Sequence, residues 1–286
     1  MGIVDSALSL LPGNRPISTP ASQHDSKLAG RPGLRASIPR DPRFWLDNLE
    51  KLNAARRPMI ISFVGKGGTA KTTSAVSIAM IAAYRDHRVW VLDLDPQASA
   101  SAWRNKRGAA DEWNHGANVV VHRCASRNLQ RAIDAARREG VDLVVIDNPP
   151  RRHEHAIDVA RSADLVVVTC GASLFDLEDT LNWMDFLRLN GIQPCVVLGN
   201  AAPRRDNMDS LLIADARLAL MKKREAQPAE WPAPNIWSEQ VTRRHAVIRA
   251  VATGSTTVET EPSGASAVEF RKLWTFLVQQ LKESKR

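Results

Sequence analysis

Only three cysteines occur in the 286 residues, Cys124, Cys170 and Cys195, and no two share a CxxC or Cys/His ligand spacing. That scarcity excludes a disulfide framework and a zinc site, and it fits a reducing cytoplasm. No stretch approaches the roughly 18 consecutive apolar residues of a membrane span. The best run, Ala75 to Ala83, is shorter and contains Ser77. The opening MGIVDSALSLLPG lacks the basic segment and the apolar length of a secretory signal. There is no internal repeat, and no aromatic stripe among basic residues to act as a stacking platform for single-stranded nucleic acid. What is present is an ordinary globular composition, 44% apolar and 24% charged, which excludes wholesale disorder and allows one large domain or two small ones. Charge is unbalanced: 39 Lys and Arg against 31 Asp and Glu give a net charge of +8. Such an excess points to a polyanionic partner, because Lys and Arg gain affinity by releasing its counterions.

Residues 1–57 hold six of the 16 prolines, with nine Lys/Arg against five Asp/Glu. They read as a basic, mostly flexible arm. Near its end Asp41 can cap a helix, Pro42 suits the first helical position, and Trp45, Leu49 and Leu52 share one face. From residue 58 onward, short apolar runs alternate with helical stretches: Met59 to Val64, Val89 to Leu94, Val119 to Val121, Leu143 to Ile146, Leu165 to Val168 and Cys195 to Leu198. Continuous runs of this length suit strands buried on both faces, with helices as crossovers. Residues 58–286 are therefore expected to form an α/β domain, a mainly parallel twisted sheet flanked by helices.

The first strand runs into Gly65-Lys66-Gly67-Gly68-Thr69-Ala70-Lys71-Thr72-Thr73, and a helical stretch follows. Strand, glycine loop and helix are the context of a phosphate-binding P-loop, in which successive backbone N–H groups and a helix N-terminus face phosphate oxygens. Lys71 is expected to reach the terminal phosphates of a nucleotide and Thr72 to offer its hydroxyl to Mg2+. Ala70 stands where the strict pattern has its second glycine. An alanine there is neutral if the position has ordinary helical dihedrals and costly if it needs positive φ. Two later segments, Leu92-Asp93-Leu94-Asp95-Pro96-Gln97 and Val144-Val145-Ile146-Asp147-Asn148-Pro149-Pro150, place carboxylates at the carboxyl ends of strands. Ligands of open α/β sheets sit at that edge, and a carboxylate there can hold magnesium for phosphoryl transfer.

With these motifs in this order, the sequence resembles the ParA/MinD family of deviant Walker A ATPases, and within it the ParA-like partition branch. KGGTAKTT carries that family's extra lysine as Lys66, DLDPQ is similar to its switch I, and IDNPP to its Walker B and switch II. The segment from Arg244 through Gly254, Val258-Glu259 and Glu269 is similar to its tail pattern. The resemblance implies a P-loop NTPase fold and a dimer that forms with ATP and Mg2+. It implies that Lys66 touches the other subunit's nucleotide, that Asp95 orients the attacking water, and that Asp93 and Asp147 support the metal. Asn200 falls where the family recognises adenine. Asn148, and the absence of proline near Thr169 and Ala172, depart from the pattern.

The resemblance further implies non-specific binding of duplex DNA by the ATP dimer, release when a ParB-like adaptor stimulates hydrolysis, and a nucleoid-associated location in the cytoplasm. Candidate phosphate contacts are Arg204, Arg205, Lys222, Lys223, Arg224, Arg243, Arg244, Arg249, Arg271 and Lys272. The last helix carries Phe270, Leu273, Trp274, Leu277 and Leu281 on one stripe. A core helix explains it, so no stable membrane association is expected; the alternative is a MinD-like membrane-surface helix. Ala70 and Asn148 motivate one further alternative, a nucleotide-binding scaffold with little hydrolysis.

Overall fold

The computed structural model describes residues 57–108, 119–150, 154–201, 215–216, 218–222 and 235–284. The first strand β1 (Met59–Val64) leads to α1 (Lys71–Ala83), β2 (Val89–Asp93), α2 (Ser99–Gly108) and β3 (Val119–Arg123). Then follow α3 (Leu129–Arg138), β4 (Leu143–Asp147), α4 (Ala156–Arg161), β5 (Leu165–Cys170), α5 (Leu174–Leu189) and β6 (Pro194–Ala201). The C-terminal part holds β7 (Asn235–Thr242), α6 (His245–Ala252), α7 (Thr257–Thr260) and α8 (Ala265–Glu283). The arm expected over 1–57 lies outside the described residues except for Arg57. Its guanidinium meets Asp164 at 2.5 Å, while the second oxygen of Asp164 accepts from the Ile60 amide at 2.9 Å.

Among the described residues, seven strands form one sheet in the order β3-β2-β4-β1-β5-β6-β7. Every pairing is parallel. β1, β2, β4 and β5 are buried at every position. This is why they read as continuous apolar runs rather than alternating ones. The sequence analysis missed β7, NIWSEQVT. This strand at the sheet's end is buried unevenly, Trp237 inside, Ser238 exposed and Glu239 half-buried, then Gln240, Val241 and Thr242 all buried, so it shows neither a continuous apolar run nor a clean alternation.

One face of the sheet packs against α1 and α8, the other against α3, α4 and α5. Helix α1 is apolar almost all round because it lies between the sheet and α8. Phe270, Leu273, Trp274, Leu277 and Leu281 of α8 are all fully buried in this layer. Each such side chain contributes about 1.5–3 kcal/mol by leaving water. The stripe is a core stripe, and the apolar face that a membrane-surface helix requires is inside the protein. Among the described residues, no helix is long and apolar enough to cross a membrane.

The chain runs from β1 to β2 on one side and later from β1's other neighbour, β5, to β6 and β7. The direction of winding thus reverses beside β1, at the carboxyl edge where open sheets bind ligands.

Candidate nucleotide-binding site

The loop between β1 and α1 occupies this switch point, and its shape explains its glycines. Gly65 has φ +129°, and a β-carbon there would stand 2.4 Å from the Thr169 carbonyl oxygen. Gly68 has φ +84°. Ala70, at the N-cap of α1, also lies in the left-handed region, with φ 65° and ψ 28°. The easy condition for an alanine at this position is therefore not met, and the conformation costs about 1–2 kcal/mol. The neighbouring strand accommodates the extra methyl. A β-carbon on Gly199 of β6 would stand 2.1 Å from the Thr69 carbonyl and 3.6 Å from the Ala70 methyl, so the loop can dock only because Gly199 has none. Ala70→Gly is expected to raise stability in denaturant unfolding by about 0.5–1 kcal/mol, strain relief exceeding the added chain entropy. A loss of stability would show that the alanine is not strained.

Around this loop the sequence-predicted residues converge. The Lys71 ammonium donates to the Lys66 carbonyl at 2.9 Å, and so does the Thr69 hydroxyl at 2.8 Å. The hydroxyls of Thr69 and Thr169 share a hydrogen bond of 2.6 Å. The Asn200 amide donates to the Gly68 carbonyl at 2.8 Å, which brings the end of β6 against the loop. Burial holds Lys71 below the ordinary lysine range, opposed by the carboxylates of Asp147, Asp95 and Asp179. A cation so desolvated gains more than a solvated one from a phosphate that reaches it.

The Thr72 hydroxyl donates to Asp147 Oδ2 at 2.6 Å. Asp147 Oδ1 is buried and has no hydrogen-bond partner among the described residues. This carboxyl is pushed up to about 7, by burial above all and by the neighbouring Asp93 and Asp95, against the opposing pull of the Thr72 hydroxyl and the Lys71 ammonium. An unpaired buried carboxylate oxygen beside a hydroxyl suits Mg2+, which binds through one or two protein oxygens and keeps its waters or takes phosphate oxygens. No cluster of three His, Cys, Asp or Glu that could hold a metal is present among the described residues, and a magnesium site of this kind needs none.

Asp93 stands beside Asp147 in the register of β2 and β4. Its carboxylate is already engaged: Oδ2 accepts from the Ser101 amide and hydroxyl at 2.8 Å each, and Oδ1 from the Asp95 amide at 3.3 Å. Asp95 lies in the loop beyond, where its carboxylate accepts from the Gln97 amide at 2.9 Å. Asn148 is buried, and its amide donates to the Ser62 hydroxyl and the Phe63 carbonyl at 2.8 and 2.9 Å, fastening the end of β4 to β1.

The sequence analysis missed Asp176. It lies in the first turn of α5, where Ser173 caps its amide, and it meets the Lys66 ammonium at 2.9 Å. Gly171 leaves room for it, since a β-carbon there would stand 2.2 Å from its carboxylate. The Ser173 hydroxyl and Lys66 hold this carboxyl below the usual range against the opposing effect of burial, and the Lys66 ammonium lies 5.8 Å from the Phe175 ring centre. Ser-x-x-Asp was readable as a helix cap. Nothing local announced its partner 110 residues away.

The basic candidates separate into engaged and outward side chains. Arg244 pairs through both terminal nitrogens with Glu269, at 2.8 and 2.9 Å, as a clamp between the start of α6 and α8. Lys272 meets Glu239 at 2.7 Å, and Arg271 is half-buried, with burial lowering its pKa. Arg243 and Lys222 are exposed, and Arg249 is 75% exposed with Glu261 at 3.6 Å. Arg204, Arg205, Lys223 and Arg224 lie outside the described residues.

Chromosome-partitioning ATPase Soj of Thermus thermophilus is 24% identical over 242 residues, covering 77% of this chain and 94% of that protein. Maintenance of carboxysome distribution protein A of Gloeobacter kilaueensis is 33% identical over 123 residues, covering 42% of this chain and about half, 52%, of that relative. Among solved structures, the cell division ATPase MinD of Pyrococcus furiosus superposes with a TM-score of 0.56 at 20% identity, over 79% of this chain and 98% of that one. A putative plasmid partition protein of Borrelia burgdorferi bound to AMPPNP gives 0.54 at 14% identity, over 80% and 98%. At such identities the superpositions establish the fold alone. The sequence profile of the CobQ/CobB/MinD/ParA nucleotide binding domain matches residues 60–258, and the chain belongs to that family.

Proposed function

We propose that the protein is a ParA-like ATPase that dimerises with ATP and Mg2+, holds duplex DNA without sequence preference, and is released when a ParB-like adaptor stimulates hydrolysis. Residues 58–286 form the ATPase domain in this reading, and the cargo is a plasmid or other DNA element in the cytoplasm, positioned over the nucleoid. The observation that carries it is the constellation of desolvated Lys71, Thr72 on Asp147, and a second lysine, Lys66, at the mouth of the same loop. Lys71 binds the terminal phosphates, Thr72 and Asp147 hold the metal, and Asp95 orients water. Magnesium, when bound, neutralises charge on the transferring phosphoryl group. Lys66 must leave Asp176 before it can serve a partner subunit. Turnover without a partner is slow in this reading, which the departures from the family pattern at Ala70 and Asn148 motivate.

DNA retention is supported by the +8 net charge and by outward Arg243, Arg249 and Lys222. Arg244, engaged by Glu269, acts as a structural clamp in this reading. The test is electrophoretic mobility of a random-sequence duplex with wild type and Lys66→Ala, without nucleotide, with ADP, and with ATP plus magnesium, at two salt concentrations. Retention specific to ATP, weakened by salt and lost in Lys66→Ala, is expected. Equal retention in all nucleotide states, or none in any, would overturn the DNA switch.

A further inference from the structure

Helix α2 is bonded at both ends, to the candidate nucleotide site at one and to the segment joining α6 and α7 at the other. Its first turn meets Asp93 through the amide and hydroxyl of Ser101. At its far end the Trp103 indole donates to the Ser255 carbonyl at 3.0 Å and the Arg107 guanidinium to the Gly254 carbonyl at 3.2 Å. Arg107 also meets Glu259 at 2.8 Å, as a contact of charges rather than an aligned hydrogen bond, and the two side chains are 4% and 1% exposed. Glu259 accepts in turn from the amide and hydroxyl of Thr256, which closes the capping box of α7. The backbones themselves touch. Gly254, at φ +74° just after α6, would carry a β-carbon 2.3 Å from the Arg107 amide nitrogen.

Contacts of this kind do not slide. Separating a buried ion pair strands two charges in a dry interior, and a backbone contact at glycine has no side chain that could yield. The end of α2, the end of α6 and α7 are therefore joined as one body. Between β2 and α2 there is only the short loop that holds Asp95. That loop ends on Ala98, whose φ of 52° lies in the left-handed region. Such a residue keeps its conformation only while its surroundings impose it, and it yields first when they change.

We infer that α2 is a lever that transmits the nucleotide state of the Asp93–Gln97 segment to α6, which presents exposed Ile248 and Arg249, with Trp103, Arg107 and Glu259 as its coupling residues. The lever rests on nucleotide binding at the P-loop, as proposed above, and does not depend on which polyanion α6 meets. Glu259 also closes the α7 capping box and Arg107 also holds the Gly254 carbonyl, so the ion pair ties the end of α2 to the backbone of both α6 and α7.

The test is amide hydrogen exchange of the full chain with and without magnesium and a non-hydrolysable ATP analogue. Wild type is compared with Trp103→Phe and with the double variant Arg107→Met/Glu259→Gln. The first removes the indole hydrogen bond and part of the buried ring volume while keeping an aromatic side chain, so it keeps the lever testable if the double variant does not fold. In wild type the analogue is expected to slow exchange in the P-loop and also across residues 245–260. In the folded variants the P-loop effect and the analogue affinity should persist while the change across 245–260 falls at least about five-fold, a loss of coupling near 1 kcal/mol. Wild-type protection confined to the P-loop, or full coupling in both variants, would overturn the lever. No protection at the P-loop would overturn nucleotide binding and the lever with it. Coupling without DNA retention would leave the lever standing and remove only the DNA reading.

Discussion

Lys71→Ala is expected to weaken magnesium-ATP binding by at least about 100-fold and to abolish every ATP-dependent property of the protein. A charged hydrogen bond contributes about 1.5–3 kcal/mol, and a lysine at the terminal phosphates makes two such contacts in a poorly solvated site, against about 1.4 kcal/mol for each factor of ten. The fold should survive. Among the described residues the Lys71 ammonium bonds to the Lys66 carbonyl, which also accepts from the Thr69 hydroxyl. Loss of the cation also removes the positive charge that offsets the raised pKa of Asp147. Calorimetric titration of ATP into both proteins reads the change directly. An affinity within about three-fold of wild type, under half a decade on that scale, would remove Lys71 from the phosphate site.

The second large effect is expected at Asp147 and depends on pH. Its carboxyl is pushed up to about 7 in the folded protein by burial. In the unfolded chain it titrates near the ordinary value of about 3.9. Between those two values the folded state holds a proton that the unfolded state has released, so stability is greatest below about pH 4 and falls as pH rises to about 7, by up to about 4 kcal/mol from this one group. Above pH 7 the loss is complete and the dependence flattens. Asp147→Asn, measured by denaturant unfolding in chelator, should remove this slope and raise stability at pH 8 by about 1–3 kcal/mol net, the new amide leaving one buried donor unpaired. Magnesium and ATP should offset the penalty in wild type alone. A wild-type stability that stays level from pH 4 to 7 would show that Asp147 is ionised at no cost, against the reading of its unpaired oxygen.

Local patterns in this chain were legible to the degree that they are local. The six apolar runs mark six strands: in β1, β2, β4 and β5 burial on both faces leaves a continuous apolar stretch, while the edge strand β3 shows itself only through Val119 to Val121. The strand β7 was not legible, since an edge strand interrupted by Ser238, Glu239 and Gln240 carries no such stretch. The P-loop was visible as a motif, yet whether Ala70 is strained depends on a dihedral set by the docking of Thr69 against Gly199. The basic residues near the C-terminus looked alike in sequence. Only the fold separates Arg244, engaged by Glu269, from Arg243 and Arg249 facing outward.

The sequence by itself determined the α/β class, the parallel sheet and the order of the phosphate-binding elements, because hydrophobic period and glycine placement act over a few residues at a time. Tertiary structure alone decided the pairing of Lys66 with Asp176, the unpaired oxygen of Asp147 beside Thr72, and the burial of Arg107 with Glu259. Those partners are separated by 75 to 152 residues, counting Asp147 with Thr72 and Arg107 with Glu259. Whether two such groups meet, and how much water is left between them, is set by the packing of a whole sheet and its helices, which no window of sequence contains.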